Sequence, residues 1–221
     1  MVINVYNRIV IISGGYIDDE FALEWITKYA PEYIIAADSG MEFCRRVGVI
    51  PDMIIGDFDS VKEDTLHFFE RQPGITFQKL NPIKDDTDTE FAIRQAISLG
   101  AKEITILGGT GTRLDHVLGN ISLLGIGLQE QVQMYLVDAH NRIRMIQNPL
   151  RLKREEQFGS YVSLIPYNEE VTHLFLKGFQ YPLMDFTLKP YNSLGISNEI
   201  AEEEAEISFE EGTLLVIESR D

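Results

Sequence analysis

The sequence predicts an α/β protein: an N-terminal, mostly parallel sheet flanked by helices, followed by a C-terminal antiparallel β-sheet or sandwich. Three observations lead there. As far as residue 140, short β-branched runs alternate with helical segments, the pattern of right-handed βαβ units. Beyond Asn141 one strand-like run follows another, punctuated by glycine and proline, with no long helical pattern between them. The chain has 221 residues, 44% hydrophobic and 24% charged, so it holds enough apolar side chains for a core in each of two modest domains.

The elements follow in order. Arg8–Ser13 (RIVIIS) reads as a buried strand and Glu20–Tyr29 as a helix. Tyr33–Ala37 is a strand and Met41–Val47 a helix; Met53–Ile55 is a short strand and Val61–Arg71 a helix. Ile75–Leu80 and Glu103–Leu107 are strands, Thr89–Leu99 and Asp115–Gln129 helices, and Gln133–Asp138 a further strand. Two helix starts have a local cause. Ser60-Val-Lys-Glu63 and Thr87-Asp-Thr-Glu90 both set a hydroxyl residue three positions before Glu, the capping box. In the second of these helices Ala92, Ala96 and Leu99 share one side, with Ile93 and Ile97 beside them, an apolar stripe that faces a sheet.

The boundary falls between residues 139 and 150, giving domains of 1–140 and 141–221. In the second, Arg142–Ile146, Tyr161–Ile165, Val171–Leu176, Met184–Leu188, Ala205–Phe209 and Leu214–Glu218 read as short strands. The acidic run Glu202-Glu203-Glu204 suits a solvated turn or edge.

Charge narrows the partners. Asp and Glu number 35 against 19 Lys and Arg, a formal net charge of -16. Such a chain repels phosphate backbones and anionic bilayers, so neither nucleic acid nor a membrane surface is expected. The single cysteine, Cys44, cannot close an internal disulfide and reads as packing within its helix. No basic region leads into an apolar run at the N-terminus, and no stretch approaches the roughly 18 apolar residues of a membrane span. A cytoplasmic protein is expected.

Open parallel sheets bind ligands beyond the carboxyl ends of their strands. The polar clusters fall there: Ser13-Gly14-Gly15, Asp38-Ser39-Gly40, Gly56-Asp57-Phe58-Asp59-Ser60, Lys84-Asp85-Asp86-Thr87-Asp88 and Gly108 through Asp115. In extended chain, Asp57 and Asp59 point to one side, close enough to share a hard cation such as Mg²⁺. The structural alternative is that one of them serves the turn or the helix dipole. Asp88 lies in a first helical turn, where a carboxylate is favoured without any ligand, and Lys84 beside it could offset phosphate charge. Gly108-Gly109-Thr110-Gly111 follows a strand and opens a helix, so backbone N–H groups could approach a phosphate there. It is neither a Walker A loop nor a dinucleotide fingerprint. Arg113 is a good phosphate fork. Asp115 also suits the helix dipole, and His116 the helix surface.

These motifs together resemble the thiamine pyrophosphokinase family. Ala37-Asp38-Ser39-Gly40 resembles its nucleotide-side turn, and Pro51-Asp52 through Gly56-Asp57-Phe58-Asp59-Ser60 its acidic metal motif. Asp85-Asp86-Thr87-Asp88 resembles a second acidic motif, and Gly108-Gly109 through Arg113-Leu114-Asp115-His116, with Asn120 following, a third. Ser163-Leu164-Ile165-Pro166 and Gly195-Ile196-Ser197-Asn198-Glu199 resemble motifs of its C-terminal domain. The resemblance spans nearly the whole chain, in order.

It implies a Rossmann-like catalytic domain and a β-sandwich that helps to bind thiamine. It also implies a homodimer whose active sites lie between the catalytic domain of one subunit and the sandwich of the other. Asp57, Asp59 and Asp88 would then hold Mg²⁺ and the triphosphate of ATP. Asp38 and Ser39 would line the nucleotide side. Lys84, Arg113 and the Gly108, Gly109 and Thr110 backbone would contact ATP, with Asp115 and Asn120 supporting that loop. Ser197 and Asn198 would contact thiamine's pyrimidine, and Tyr181 could stack on a thiamine ring. The implied reaction is attack of thiamine's hydroxyl on the β-phosphorus of ATP, with AMP leaving and Asp88 or Asp59 taking the proton. A sugar-nucleotide glycosyltransferase or a non-catalytic nucleotide sensor are the rival readings of the same acidic pair.

Overall fold

The structure, a computed structural model, describes residues 5–59, 61–81, 86–111 and 113–221. The chain forms two compact units, Met1–Ala139 and His140–Asp221.

The first unit holds β1 (Arg8–Ile12), α1 (Asp19–Tyr29), β2 (Tyr33–Ala37), α2 (Gly40–Val47), β3 (Met53–Gly56) and α3 (Glu63–Glu70). It continues with β4 (Thr76–Lys79), α4 (Asp88–Ser98), β5 (Glu103–Leu107), α5 (Leu114–Glu130) and β6 (Gln133–Val137). The six strands are parallel, in the order β4-β3-β2-β1-β5-β6. The sheet is built outward from β1 in both directions, so the strand order reverses between β1 and β5. The loops leaving their carboxyl ends diverge and leave a crevice. Ile9 through Ile12 of β1 and Ile104 and Ile106 of β5 are fully buried, which explains their unbroken apolar pattern.

Local chemistry sets several boundaries. Asp18 caps α1, its Oδ1 accepting the Phe21 N–H at 2.9 Å. Thr87 caps α4, its hydroxyl accepting the Glu90 N–H at 3.2 Å. The start of α3 differs from the capping-box expectation. Ser60 lies outside the described residues, and the helix begins at Glu63 with Lys62 at its N-cap and no side-chain cap of its own. The carboxylate comes instead from α2: Glu42 Oε1 accepts the Lys62 N–H and Oε2 the Thr65 hydroxyl, both at 2.9 Å. Cys44 is buried in α2, and burial pushes its thiol up to about 12.

The second unit holds β7 (Asn141–Ile146), β8 (Leu150–Lys153), β9 (Tyr161–Pro166), β10 (Val171–Lys177), β11 (Leu183–Leu188), β12 (Glu204–Ser208) and β13 (Leu214–Ser219). β13 pairs antiparallel with β7 and β9, and a second antiparallel sheet runs β11-β10-β12-β8. Val162, Leu164, Leu214 and Val216 of the first sheet pack with Leu174, Leu176 and Ile207 of the second, so the unit is a sandwich.

The apolar pattern of the sequence does not mark β8 as a strand. Only Leu152 of its four residues is buried, and Arg151 and Lys153 break the apolar pattern. The strand forms through its partner: Lys153 lies opposite Glu204 and Arg151 opposite Glu206 of β12, complementary charges across the ladder. Glu204, read as part of a solvated turn or edge, thus opens β12. Among the described residues no helix is long and apolar enough to cross a membrane.

Candidate active site

The crevice at the reversal point is a cavity of about 690 Å³. Its walls come from the ends of β1, β2 and β5 and from the starts of α4 and α5. Two glycine turns meet at its base. The Gly15 N–H donates to the Gly108 carbonyl at 2.9 Å, and a Cβ on Gly15 would come within 2.3 Å of that oxygen. Gly108 itself has φ +75, and a Cβ there would fall 2.5 Å from the Ser13 carbonyl oxygen. Only glycine lets the β1 and β5 loops close on each other this tightly.

Asp38 follows β2 with φ 47, and its N–H is held by the Ile55 carbonyl at 2.7 Å. Asp57 follows β3, and Asp88 opens α4. Buried Ser13 and Thr89 share a hydrogen bond of 2.7 Å, which ties the first turn of α4 to the end of β1. The result is one cluster in which carboxylate oxygens of Asp38, Asp57 and Asp88 lie within 4.8 Å of one another, all three side chains half-buried. Unit charges at that separation repel by on the order of 3 kcal/mol per pair at an effective dielectric near 20. An all-oxygen donor set of this charge suits a hard divalent cation.

The sequence-derived residues are distributed as follows. Asp57 and Asp88 are in the cluster. Asp38, taken from the sequence for the nucleotide side, joins them and lines the cavity with Ser39. Asp59 is exposed and outside the cluster; its backbone N–H donates to Asp57 Oδ1 at 3.0 Å and orients that carboxylate. Gly108 and Gly109 line the cavity, whereas half-buried Thr110 does not. The Asn120 amide donates to the Gly109 carbonyl at 2.9 Å. Arg113 and Asp115, both at the mouth, bind each other through two contacts of 3.1 and 2.5 Å. The hydrogen bond from Arg113 holds the Asp115 carboxyl down at about 2. Lys84, like Ser60, Asp85 and Thr112, lies outside the described residues.

Sequence reasoning missed Glu90, Gly119 and Leu123 as lining residues and left His116 on the helix surface. The last three were findable, because residues 116, 119, 120 and 123 share one face of a helix.

In the second unit Tyr181, Ser197 and Asn198 lie together. Asn198 is buried, and its Oδ1 accepts the Tyr181 N–H at 3.0 Å and the Glu199 N–H at 2.9 Å. Its Nδ2 donates to the Tyr181 carbonyl at 2.8 Å. Three of the four hydrogen-bonding positions of the amide therefore serve backbone. Asn198 fixes the main chain that carries the exposed Tyr181 ring. Ser197 has φ 58, and its N–H donates to Ser163 Oγ at 3.0 Å.

Comparison with known proteins gives a consistent result. The model of the thiamin pyrophosphokinase catalytic domain matches residues 27–136, and that of the thiamin pyrophosphokinase vitamin B1 binding domain matches residues 147–214. The thiamine pyrophosphokinase of Bacillus subtilis (strain 168) is 34% identical over 214 residues, covering 96% of this chain and 98% of the relative. The crystal structure of the B. subtilis enzyme superposes with a TM-score of 0.87 at 33% identity, over 97% of this chain and 100% of that one. The Geobacillus thermodenitrificans thiamin pyrophosphokinase does so with 0.83 at 31% identity, over 97% and 98%. The Candida albicans thiamin pyrophosphokinase, at 17% identity and a TM-score of 0.81 over 97% and 89%, shares the fold.

Proposed function

Because the chain belongs to the thiamine pyrophosphokinase family, we propose that it is an enzyme that transfers the pyrophosphoryl group of ATP to the hydroxyl of thiamine, giving thiamine diphosphate and AMP. The observation that carries the reading at the level of the site is the convergence of Asp38, Asp57 and Asp88 beside the two glycine turns of one cavity. Backbone N–H groups at Gly108–Gly111 and the start of α5 favour a polyphosphate, and Arg113 can exchange its exposed partner Asp115 for a phosphate oxygen.

The acidic cluster fits Mg²⁺, and Asp38, Asp57 and Asp88 would hold it. When bound, the ion offsets the charge of the phosphates. In the reaction, thiamine's hydroxyl oxygen bonds to the β-phosphorus, the bond from that phosphorus to the bridging oxygen of AMP breaks, and the hydroxyl proton passes to a carboxylate. Asp59 suits that last role better than Asp88, because it stands outside the cluster. On the thiamine side, Tyr181 offers an exposed ring and Ser197 a hydroxyl, with Asn198 holding the loop that carries them.

A homodimer with active sites shared between subunits belongs to the same reading. So does a cytoplasmic location, where ATP is supplied and a lone buried thiol such as Cys44 stays reduced. AMP release from ATP, measured with and without thiamine and with and without Mg²⁺, tests the activity. Release that requires both is expected, and no release in their presence would overturn it. Light scattering tests the dimer, a monomer at working concentration being the adverse result.

A further inference from the structure

Helix α5 contains a glycine that the fold does not require. At Gly127 a Cβ would press within 2.6 Å of the Val132 carbonyl oxygen and 2.8 Å of the Met134 side chain, so glycine there lets α5 lie close against β6. At Gly119 a Cβ would meet nothing within 4 Å among the described residues, and the backbone is ordinary right-handed helix. Glycine weakens a helix interior by its backbone freedom. Among the described residues, no packing contact explains its presence at this open, unstrained position.

The cavity supplies one. Gly119 lines it, on the same helix face as His116, Asn120 and Leu123. Among the described lining residues Leu123 is the one large aliphatic side chain; the others are glycines, Ala37 and polar or charged groups. Gly119 lies five residues beyond Leu114, the first residue of α5, about 7 to 8 Å along the axis at 1.5 Å per residue. A ligand with phosphates at the glycine turns therefore meets, further up the helix, a gap without side chain at Gly119 and an aliphatic side chain at Leu123, flanked by His116 and Asn120.

We propose that Gly119 and Leu123 form the wall on which the flat face of the nucleotide's base rests, and that Gly119 is a specificity-determining residue because its missing side chain admits a planar ring. The inference rests on the assignment of this cavity to ATP. It requires that a side chain at 119 act in opposite directions on the two properties of the protein. It should stabilise the helix and obstruct the base.

The test compares wild type, Gly119→Ala and Gly119→Leu in thermal unfolding. It also compares them in calorimetric binding of two probes with Mg²⁺ and without thiamine: ATP and inorganic tripolyphosphate. Gly119→Ala should raise Tm by about 2–4 °C. Gly119→Leu should weaken ATP binding about tenfold or more, the scale of a misfit in an apolar pocket, with tripolyphosphate binding changed less than twofold. A lower Tm for Gly119→Ala would make the glycine structural and overturn the inference. So would equal losses for both probes, or unchanged ATP binding in Gly119→Leu. If the wild-type chain binds ATP and releases AMP while Gly119→Leu is indifferent, the base wall fails and the activity stands. If the wild type does neither, both fall together.

Discussion

Asp38 sits at φ 47, in the left-handed region that few residues other than glycine and asparagine or aspartate enter. That conformation, held by the Ile55 carbonyl, turns its carboxylate toward Asp57 and Asp88. The three carboxylates act as one charge, so Asp38→Asn, Asp57→Asn and Asp88→Asn should each lower kcat at least about 10²-fold, the scale of losing one preorganised electrostatic group. Each should also raise the Mg²⁺ concentration needed for half-maximal rate. Asp59→Asn should lower kcat by a similar factor while leaving that Mg²⁺ requirement unchanged, because its carboxylate stands outside the cluster. Steady-state rates across a Mg²⁺ titration separate the two outcomes; a shifted requirement in Asp59→Asn would make it a metal ligand. Sequence pointed to Asp57 and Asp88 through their motifs. It did not show Asp38 beside them, since 19 and 50 residues separate these positions and only the parallel order of β2 and β3 and the placement of α4 bring them together.

At the scale of elements, α4 depends on its cap. Thr87→Ala removes the acceptor for the Glu90 N–H and should cost about 1 kcal/mol, a fall in Tm of about 2–4 °C. Because Asp88 is the next residue, activity should fall with it, and Thr87→Ser should restore both. The β10–β11 ladder contains a different device. Its register shifts around Leu174, and His173 and Asp185 both adopt φ 50 where their side chains meet, Nδ1 to Oδ1, at 2.6 Å. The hydrogen bond to Asp185, with Glu210 on the other ring nitrogen, raises the His173 imidazole above its ordinary 6.5. A raised value in the folded state gives stability that is present below about pH 6.5 and lost as pH climbs through the raised value. Urea unfolding should therefore show weaker folding above that window than below it, and His173→Gln should flatten the difference. An unchanged pH dependence in the variant would remove the role. Neither feature is complete in the sequence: the Thr87 cap was legible, though the Glu90 carboxylate of the expected capping box accepts from Arg94, and the bulge that pairs His173 with Asp185 has no local signal. The start of α3 likewise shifted because Glu42, from another helix, took over the capping task.

On the scale of the molecule, each unit has its own core and its own means of holding polar groups. In the sandwich, buried Glu218 accepts from Arg142 at 3.0 and 2.6 Å, from Arg144, and from the Phe158 N–H at 3.2 Å. Burial alone would raise its carboxyl, but the two guanidinium groups outweigh it and hold the carboxyl below the ordinary range. The stability this contributes is present above about pH 4.5 and lost as pH falls through the lowered value. Glu218→Gln should cost about 3 kcal/mol at neutral pH, read from urea denaturation, because it strands two largely buried guanidinium groups. The sequence by itself determined what depends on short-range order: the strand and helix alternation, the change of pattern after Asn141, the cap at Thr87, and the positions of the acidic and glycine motifs after their strands. These follow from periodicity and local hydrogen bonding, which a few consecutive residues carry whole. Only the tertiary structure decided which carboxylates share a cluster, that Asn198 serves the backbone of Tyr181, that β8 forms against β12, and that Gly119 faces the cavity. Each of those depends on the contact of segments remote in the chain, and such contacts are set by the packing of whole elements.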